Sequence, residues 1–410
     1  MKKWFLMCMM LILIIGVIGC SKEENGGKVT LNALFMKQAG YSEEDVTNIT
    51  KEFEKNNPNI KIKATFAPYE ALEQKVQTSA KSGGYDVVVV DAPWTAKFAK
   101  AGFVKDVSDK LKSEEESDIF PGAIDSVSYD GKLYGMPWLN DTKFLFYNKE
   151  ILKKAGIQNP PTNFEELKEQ AKIIQNKKLV PYPIVWSWSQ AEALVCDFTA
   201  ITSSFGGEMT DDSGKPTLSD PKNVSALTFM TDTLNEKLTD PKSTEYLEED
   251  VRGVFSSGKA AFALNWTYMF NMANDQEESS IAGKVGIAPI PMSVNGGMGL
   301  SVTSGSKHAD EAWEYIQYLS SKEVQKNFAK NALPIWKSLY EEQQVIDTNP
   351  EVVAASKVQY EQLENRPRVP WYGELSTEIQ VEVQKSLLGK QTPEETMDNL
   401  QKKAEKISNK

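Results

Sequence analysis

Between residues 29 and 91 the spacing of apolar positions switches back and forth between two periods, and each switch marks an element. The segment VTLNALF (29–35) reads as a strand. SEEDVTNITKEFEKNNP takes helical spacing: Val46, Ile49 and Phe53 share one face, Ser42 stands as N-cap with Asp45 three residues on, and Pro58 stops the run. IKIKATF alternates with period two, which directs Ile60, Ile62, Ala64 and Phe66 inward. A second helix runs through Leu72 and Val76 to Gly83-Gly84. YDVVVVD then carries four consecutive valines, the pattern of a strand buried on both faces in a parallel sheet covered by helices. The order β-α-β-α-β is the mark of an α/β fold.

The rest of the chain repeats this grammar without repeating the sequence. DGKLYGMPW predicts a hairpin turning at Asp130-Gly131, and FLFYN (144–148) opens a new set of strands. Thr162 and Glu165 have the spacing of another capping box. PYPIVW, KAAFALNW, KVGIAPIP and GGMGLSVTSGS supply further strands; from Ala309 onward the pattern is mostly amphipathic helix, closing with TPEETMDNLQKKAEKI. There is no internal repeat, low-complexity tract or long linker, so two lobes would be joined by short crossings near residues 137–140 and 289–292.

The front of the chain obeys different rules. Lys2 and Lys3 precede an apolar run from Trp4 to Ile18, with Gly19 before Cys20, the build of a secretory signal. The run falls short of the roughly 20 residues a membrane-spanning helix needs. Val17-Ile18-Gly19-Cys20 resembles the lipobox of bacterial lipoproteins, in which the cysteine thiol is alkylated by a diacylglyceryl group and the signal is cut before it. The resemblance implies that residues 1–19 are a signal peptide, that Cys20 is lipidated and that 20–28 form a tether. Two or more acyl chains, at about 0.8 kcal/mol per buried methylene, hold a protein firmly where one does not. The other reading is a soluble secreted protein whose signal happens to contain a cysteine.

Without residues 1–19 the chain has 391 residues, enough for two domains, and its formal charge moves from −11 to −13. Such an acidic chain, with no basic block, fits neither nucleic acid nor an anionic membrane surface. Cys196 remains as a lone cysteine in an apolar helical run, which reads as a buried small hydrophobe and leaves no intramolecular disulfide. His308 is the only histidine, at the start of a helix, which excludes His-based triads and multi-histidine zinc sites. No metal or cofactor is expected, and no GxxxxGK[ST] phosphate loop is present.

In open α/β sheets ligands bind beyond the carboxyl ends of strands. Those ends carry tryptophans and polar groups: Asp91 and Trp94 in DAPW; Trp138, Asn140 and Asp141 in PWLNDT; Trp186 and Trp188 in VWSWSQ; Asn265 and Trp266 in LNWTYM. A late loop, RPRVPWYGE, adds Arg366, Arg368, Trp371 and Tyr372, whereas Trp313 lies inside a helix and Trp336 at a helix end. This mixture suits a carbohydrate. An indole covers the apolar face of a pyranose at little rotamer cost, and a carboxylate accepts from adjacent hydroxyls at about 1.5–3 kcal/mol per bond. The competing reading for any one tryptophan is that it fills core space.

The stretches FEKNNPNIKI, YDVVVVDAPW, YDGKLYGMPW, FYNKEILKKAGI, SGKAAFALNWTYM, GIAPIP and GGMGLSVTSGSKHADEAWEYIQYLSSKEVQKNFAKNALP follow one another in an order that resembles the extracellular solute-binding proteins of sugar ABC transporters, the maltose-binding-protein-like family. The resemblance implies a two-lobed, periplasmic-binding-protein-like α/β fold, each lobe a mostly parallel sheet flanked by helices. It divides the chain into an N-terminal lobe (29–138 and 290–342) and a C-terminal lobe (139–289 and 343–410), with ligand in the cleft between them. It also implies ligand contacts at Asp141, Asp91, Asn265, Trp266, Gly297 and Trp371. The loop MKQAGYS puts Lys37 and Gln38 where the family often has an acid. The expectation is a monomeric, lipid-anchored receptor outside the cell membrane that closes on a sugar and passes it to permease subunits driven by a separate ATPase. Two alternatives stay open: the same fold binding a polyamine, peptide or oxyanion, and a surface glycosidase using Asp91 and Asp141, whose separation would be about 5–5.5 Å for a retaining or 6.5–9.5 Å for an inverting mechanism.

Overall fold

The computed structural model describes residues 28–37, 40–330 and 332–410. The expected signal at 1–19, Cys20 with the tether residues before Lys28, and Gln38 lie outside the described residues. Five strands form the first sheet, in the spatial order Ile60–Ala67, Val29–Met36, Val87–Asp91, Met298–Val302 and Met136–Leu139. The first three are parallel, as helical crossovers require. Every residue of Val87–Asp91 is buried, which is what the run of valines demands. Ala64 is exposed, against expectation, because Ile60–Ala67 lies at the sheet edge and is covered fully only at Ile62 and Ala67.

The second sheet runs Val285–Ala288, Lys143–Asn148, Phe262–Trp266 and Ile184–Val185. Only its last pair is parallel. Mostly parallel sheets were expected; both sheets are mixed instead, and the connectivity explains it. Met136–Leu139 leaves the first sheet for the second, Met298–Val302 returns to it, and the two pair antiparallel. Lys143–Asn148 enters the second sheet, Val285–Ala288 leaves it, and they too pair antiparallel. An outgoing and a returning strand that share one crossing must point in opposite directions.

The crossing itself is tied together. Thr142 bridges Asn295, its hydroxyl donates to the Val294 carbonyl at 2.7 Å, and the Gly296 N–H donates to the Asp141 carbonyl at 2.9 Å. Ser293–Val294 pairs in parallel with Leu363–Glu364, so a third passage of chain joins the same hinge.

Local signals produced their elements with one shift. Ser42 and Asp45 form the reciprocal capping box of helix Glu43–Asn56. The turn at Asp130-Gly131 has φ of 50° and 71°, the left-handed pair a two-residue hairpin needs, and joins Ser128–Tyr129 to Lys132–Leu133. At helix Phe164–Asn176 the N-cap is Asn163 rather than Thr162. The Asn163 amide oxygen accepts from the Glu166 N–H at 2.8 Å, and Thr162 stands one residue further out, donating to the Glu166 carboxylate. Cys196 is buried in helix Glu192–Ser204, and His308 precedes helix Ala309–Leu319 as its cap residue.

Candidate ligand cleft

Asp91 ends the valine strand at the hinge side of the first sheet and is 1 % exposed. Its carboxylate accepts from the Tyr69 hydroxyl at 2.7 Å and from Nη2 of Arg366 at 2.9 Å. Arg366 sits in the loop after the Leu363–Glu364 hinge strand, and its Nη1 donates at 2.8 Å to Glu192, the first residue of helix Glu192–Ser204. Glu192 also accepts from the hydroxyls of Tyr372 and, at 2.5 Å, Ser376. A charged chain therefore runs from Tyr69 and Asp91, on the first sheet's side, to Glu192, Tyr372 and Ser376 on the second's. Burial opposes the charge on Arg366, and Asp91 more than offsets it, holding the guanidinium above its ordinary range. Burial and the neighbouring carboxylates push the hydroxyls of Tyr69 and Tyr372 up, so both remain donors. Among the described residues the Arg366 Nε–H has no partner, although the side chain is 3 % exposed.

A second group of polar residues surrounds Trp266 on the other side of the crossing. Asp141 accepts from the Thr142 N–H at 2.8 Å and the Thr267 hydroxyl at 2.5 Å. Burial raises its carboxyl above the usual range, and these donors pull the other way. Trp266 is partly exposed, and its indole N–H donates to Glu248 at 3.1 Å. Gly296 makes room for that ring: a Cβ there would stand 2.4 Å from Cζ3 of Trp266. The Lys143 ammonium lies 5.1 Å from the ring centroid, fully buried and paired with Asp197 at 2.5 Å. Burial opposes its charge, and Asp197 and Glu248 outweigh that and hold it protonated.

Several expected contacts have other roles. Trp186 and Trp188 are wholly buried and stack on each other at 5.1 Å in the core beside the second sheet. The Trp186 indole N–H donates to the Thr239 hydroxyl at 3.0 Å, and both rings fill core space. Asn265 is likewise buried; its amide donates to the Glu248 carbonyl and accepts from the Trp266 N–H, which makes it a brace for Trp266. Gly297 is buried against Ser126 and Asn295, and the glycine that admits an aromatic ring is its neighbour Gly296. Trp94, 6 % exposed, lies 5.0 Å from Tyr69 and 6.2 Å from Phe98 in an aromatic stack next to Asp91. Arg368 donates to the carbonyl of Asp125 in helix Pro121–Ser126 at 3.0 Å, and Trp371 is the partly exposed cap residue of helix Tyr372–Leu387.

Tyr69, Glu192 and Glu248 are not marked by the sequence pattern, and of the two arginines it offers, Arg366 is the one that joins Asp91 to Glu192. Glu192 and Glu248 open helices that follow strand or loop ends, a weak signal on its own. Arg366 carries no local mark that separates it from Arg368. The assembly offers carboxylates, buried hydroxyl donors and aromatic faces at one crossing. Among the described residues no group of three or more His, Cys, Asp or Glu is placed to hold a metal ion, and no helix is long and apolar enough to cross a membrane.

The chain has relatives. The probable ABC transporter-binding protein of Deinococcus radiodurans is 34 % identical over 296 residues, 68 % of this chain and 69 % of that protein. The arabinooligosaccharide-binding protein of Bacillus subtilis is 28 % identical over 342 residues, 79 % of this chain and 77 % of that one. The maltose-bound structure of T. maritima MalE3 superimposes with a TM-score of 0.83 at 30 % identity, covering 92 % of this chain and all of that one. The profile described as bacterial extracellular solute-binding protein matches residues 39–326, and the chain belongs to that family.

Proposed function

We propose that this protein is a lipid-anchored receptor on the outer face of a bacterial cell membrane, binding a sugar or oligosaccharide between lobes 29–138 with 290–342 and 139–289 with 343–410. It delivers that cargo to the permease of an ABC importer whose ATPase is a separate subunit, and it acts as a monomer without turning the sugar over. The observation that carries the reading is the partly exposed Trp266 ring with its indole N–H on Glu248 and with Asp141 held by the adjacent Thr267, together with the Arg366 link between Asp91 and Glu192. Indole supplies a flat apolar face, and carboxylates accept from vicinal hydroxyls. Relatives whose cargo is named, maltose and arabinooligosaccharide, support the same class. Closure about the hinge brings both lobes onto the ligand, which favours the closed state by its differential affinity.

The test is a thermal-shift screen against mono- and oligosaccharides, polyamines and peptides, followed by calorimetry and product analysis. A saturable shift from one sugar class, with the sugar recovered intact, is expected; a response to polyamine or peptide alone, or recovery of cleaved sugar, would sink the reading. Anchoring is checked separately: Cys20→Ser should move the protein from the membrane fraction to the medium.

A further inference from the structure

Lys143 and Asp197 form an ion pair with both side chains at 0 % exposure. Two charges so placed surrender their hydration, and hydrophobic residues of the same volume often serve a core as well or better. The pair is satisfied in detail: the ammonium donates to the Ser187 hydroxyl at 3.0 Å and to Asp197 Oδ1 at 2.5 Å, while Asp197 Oδ2 accepts from the Ser187 hydroxyl at 3.1 Å and its N–H at 3.2 Å. What it faces is the candidate cleft. The ammonium lies 5.1 Å from the centroid of Trp266 and 3.8 Å from Glu248 Oε1, the atom that accepts the Trp266 indole N–H.

We propose that the buried Lys143–Asp197 pair is a positioning device, locking Trp266 and Glu248 in the one relative orientation that receives a sugar ring and its hydroxyls. The inference rests on the sugar reading. Asp197 and Ser187 hold the ammonium from behind; the ammonium holds the Trp266 face by cation–π attraction and Glu248 by charge. Neither Lys143 nor Asp197 needs to touch the ligand.

The experiment labels the protein with 5-fluorotryptophan, assigns the Trp266 resonance with Trp266→Phe, and measures sugar affinity by calorimetry. The variant is the double substitution Lys143→Met with Asp197→Leu, which removes both fully buried charges and leaves Glu248, whose side chain is 24 % exposed, without its cation. It should fold with a Tm close to the wild type, yet show a shifted or broadened Trp266 line and a Kd at least tenfold weaker. Either an unmoved line or a Kd within twofold of wild type overturns the proposal. If the double variant fails to fold, the near-isosteric Asp197→Asn takes its place under the same two criteria. A wild-type protein that binds no sugar overturns the sugar reading alone, and the fluorine line of the unliganded protein then decides whether the pair orders Trp266.

Discussion

Trp186 and Trp266 are the same residue type at two strand ends, and their surroundings separate them. Trp186 is enclosed by Trp188, Phe164 and Phe229, so Trp186→Ala should cost about 3–5 kcal/mol of stability through the lost burial and the cavity left. Trp266→Ala should instead weaken sugar binding more than tenfold with little change in the Tm of the unliganded protein; urea melts and calorimetry on both variants check the contrast. The alternation of strand ends could not tell the two apart, because whether an indole meets core or cleft depends on what packs over it from elsewhere in the chain. Asp141 gives a pH dependence. Its folded carboxyl is raised above the unfolded value, so it takes up a proton more readily when folded; stability from this residue is full below the unfolded value and is lost as pH rises through the raised one. Ligand hydroxyls favour the ionised form, so affinity should fall as pH drops through that same raised value, and Asp141→Asn should flatten the profile.

Among the elements, helix Phe164–Asn176 shows how a short motif is resolved by geometry. Both Thr162 and Asn163 are capping residues by type, and Asn163 takes the first-turn N–H while Thr162 braces Glu166 from outside. Asn163→Ala should therefore cost about 1 kcal/mol, and Thr162→Ala less, by urea denaturation. The capping box at Ser42, the hairpin at Asp130-Gly131 and the doubly buried valine strand were all legible, since each depends on residues within a turn or two of one another. The antiparallel members of both sheets were not, because strand direction follows from where the chain returns after crossing to the other lobe.

For the whole molecule, Arg366 is the residue to alter. It joins Asp91 to Glu192 and so ties the lobes, and Arg366→Ala leaves two buried or half-buried carboxylates facing each other without a cation. The unliganded variant should be more open, seen as a larger radius of gyration in small-angle scattering, and should close less completely on sugar. By itself the sequence determined the α/β class, the order of its elements, the export signal pattern and the family, because these rest on local periodicity, capping spacing and motif order. The tertiary structure alone decided which arginine joins Asp91 to Glu192, which tryptophans are core, and which acids gather at the crossing. Those assignments join residues as distant in the chain as Asp91 and Arg366, and only the two mixed sheets meeting at one hinge bring such residues within hydrogen-bond reach.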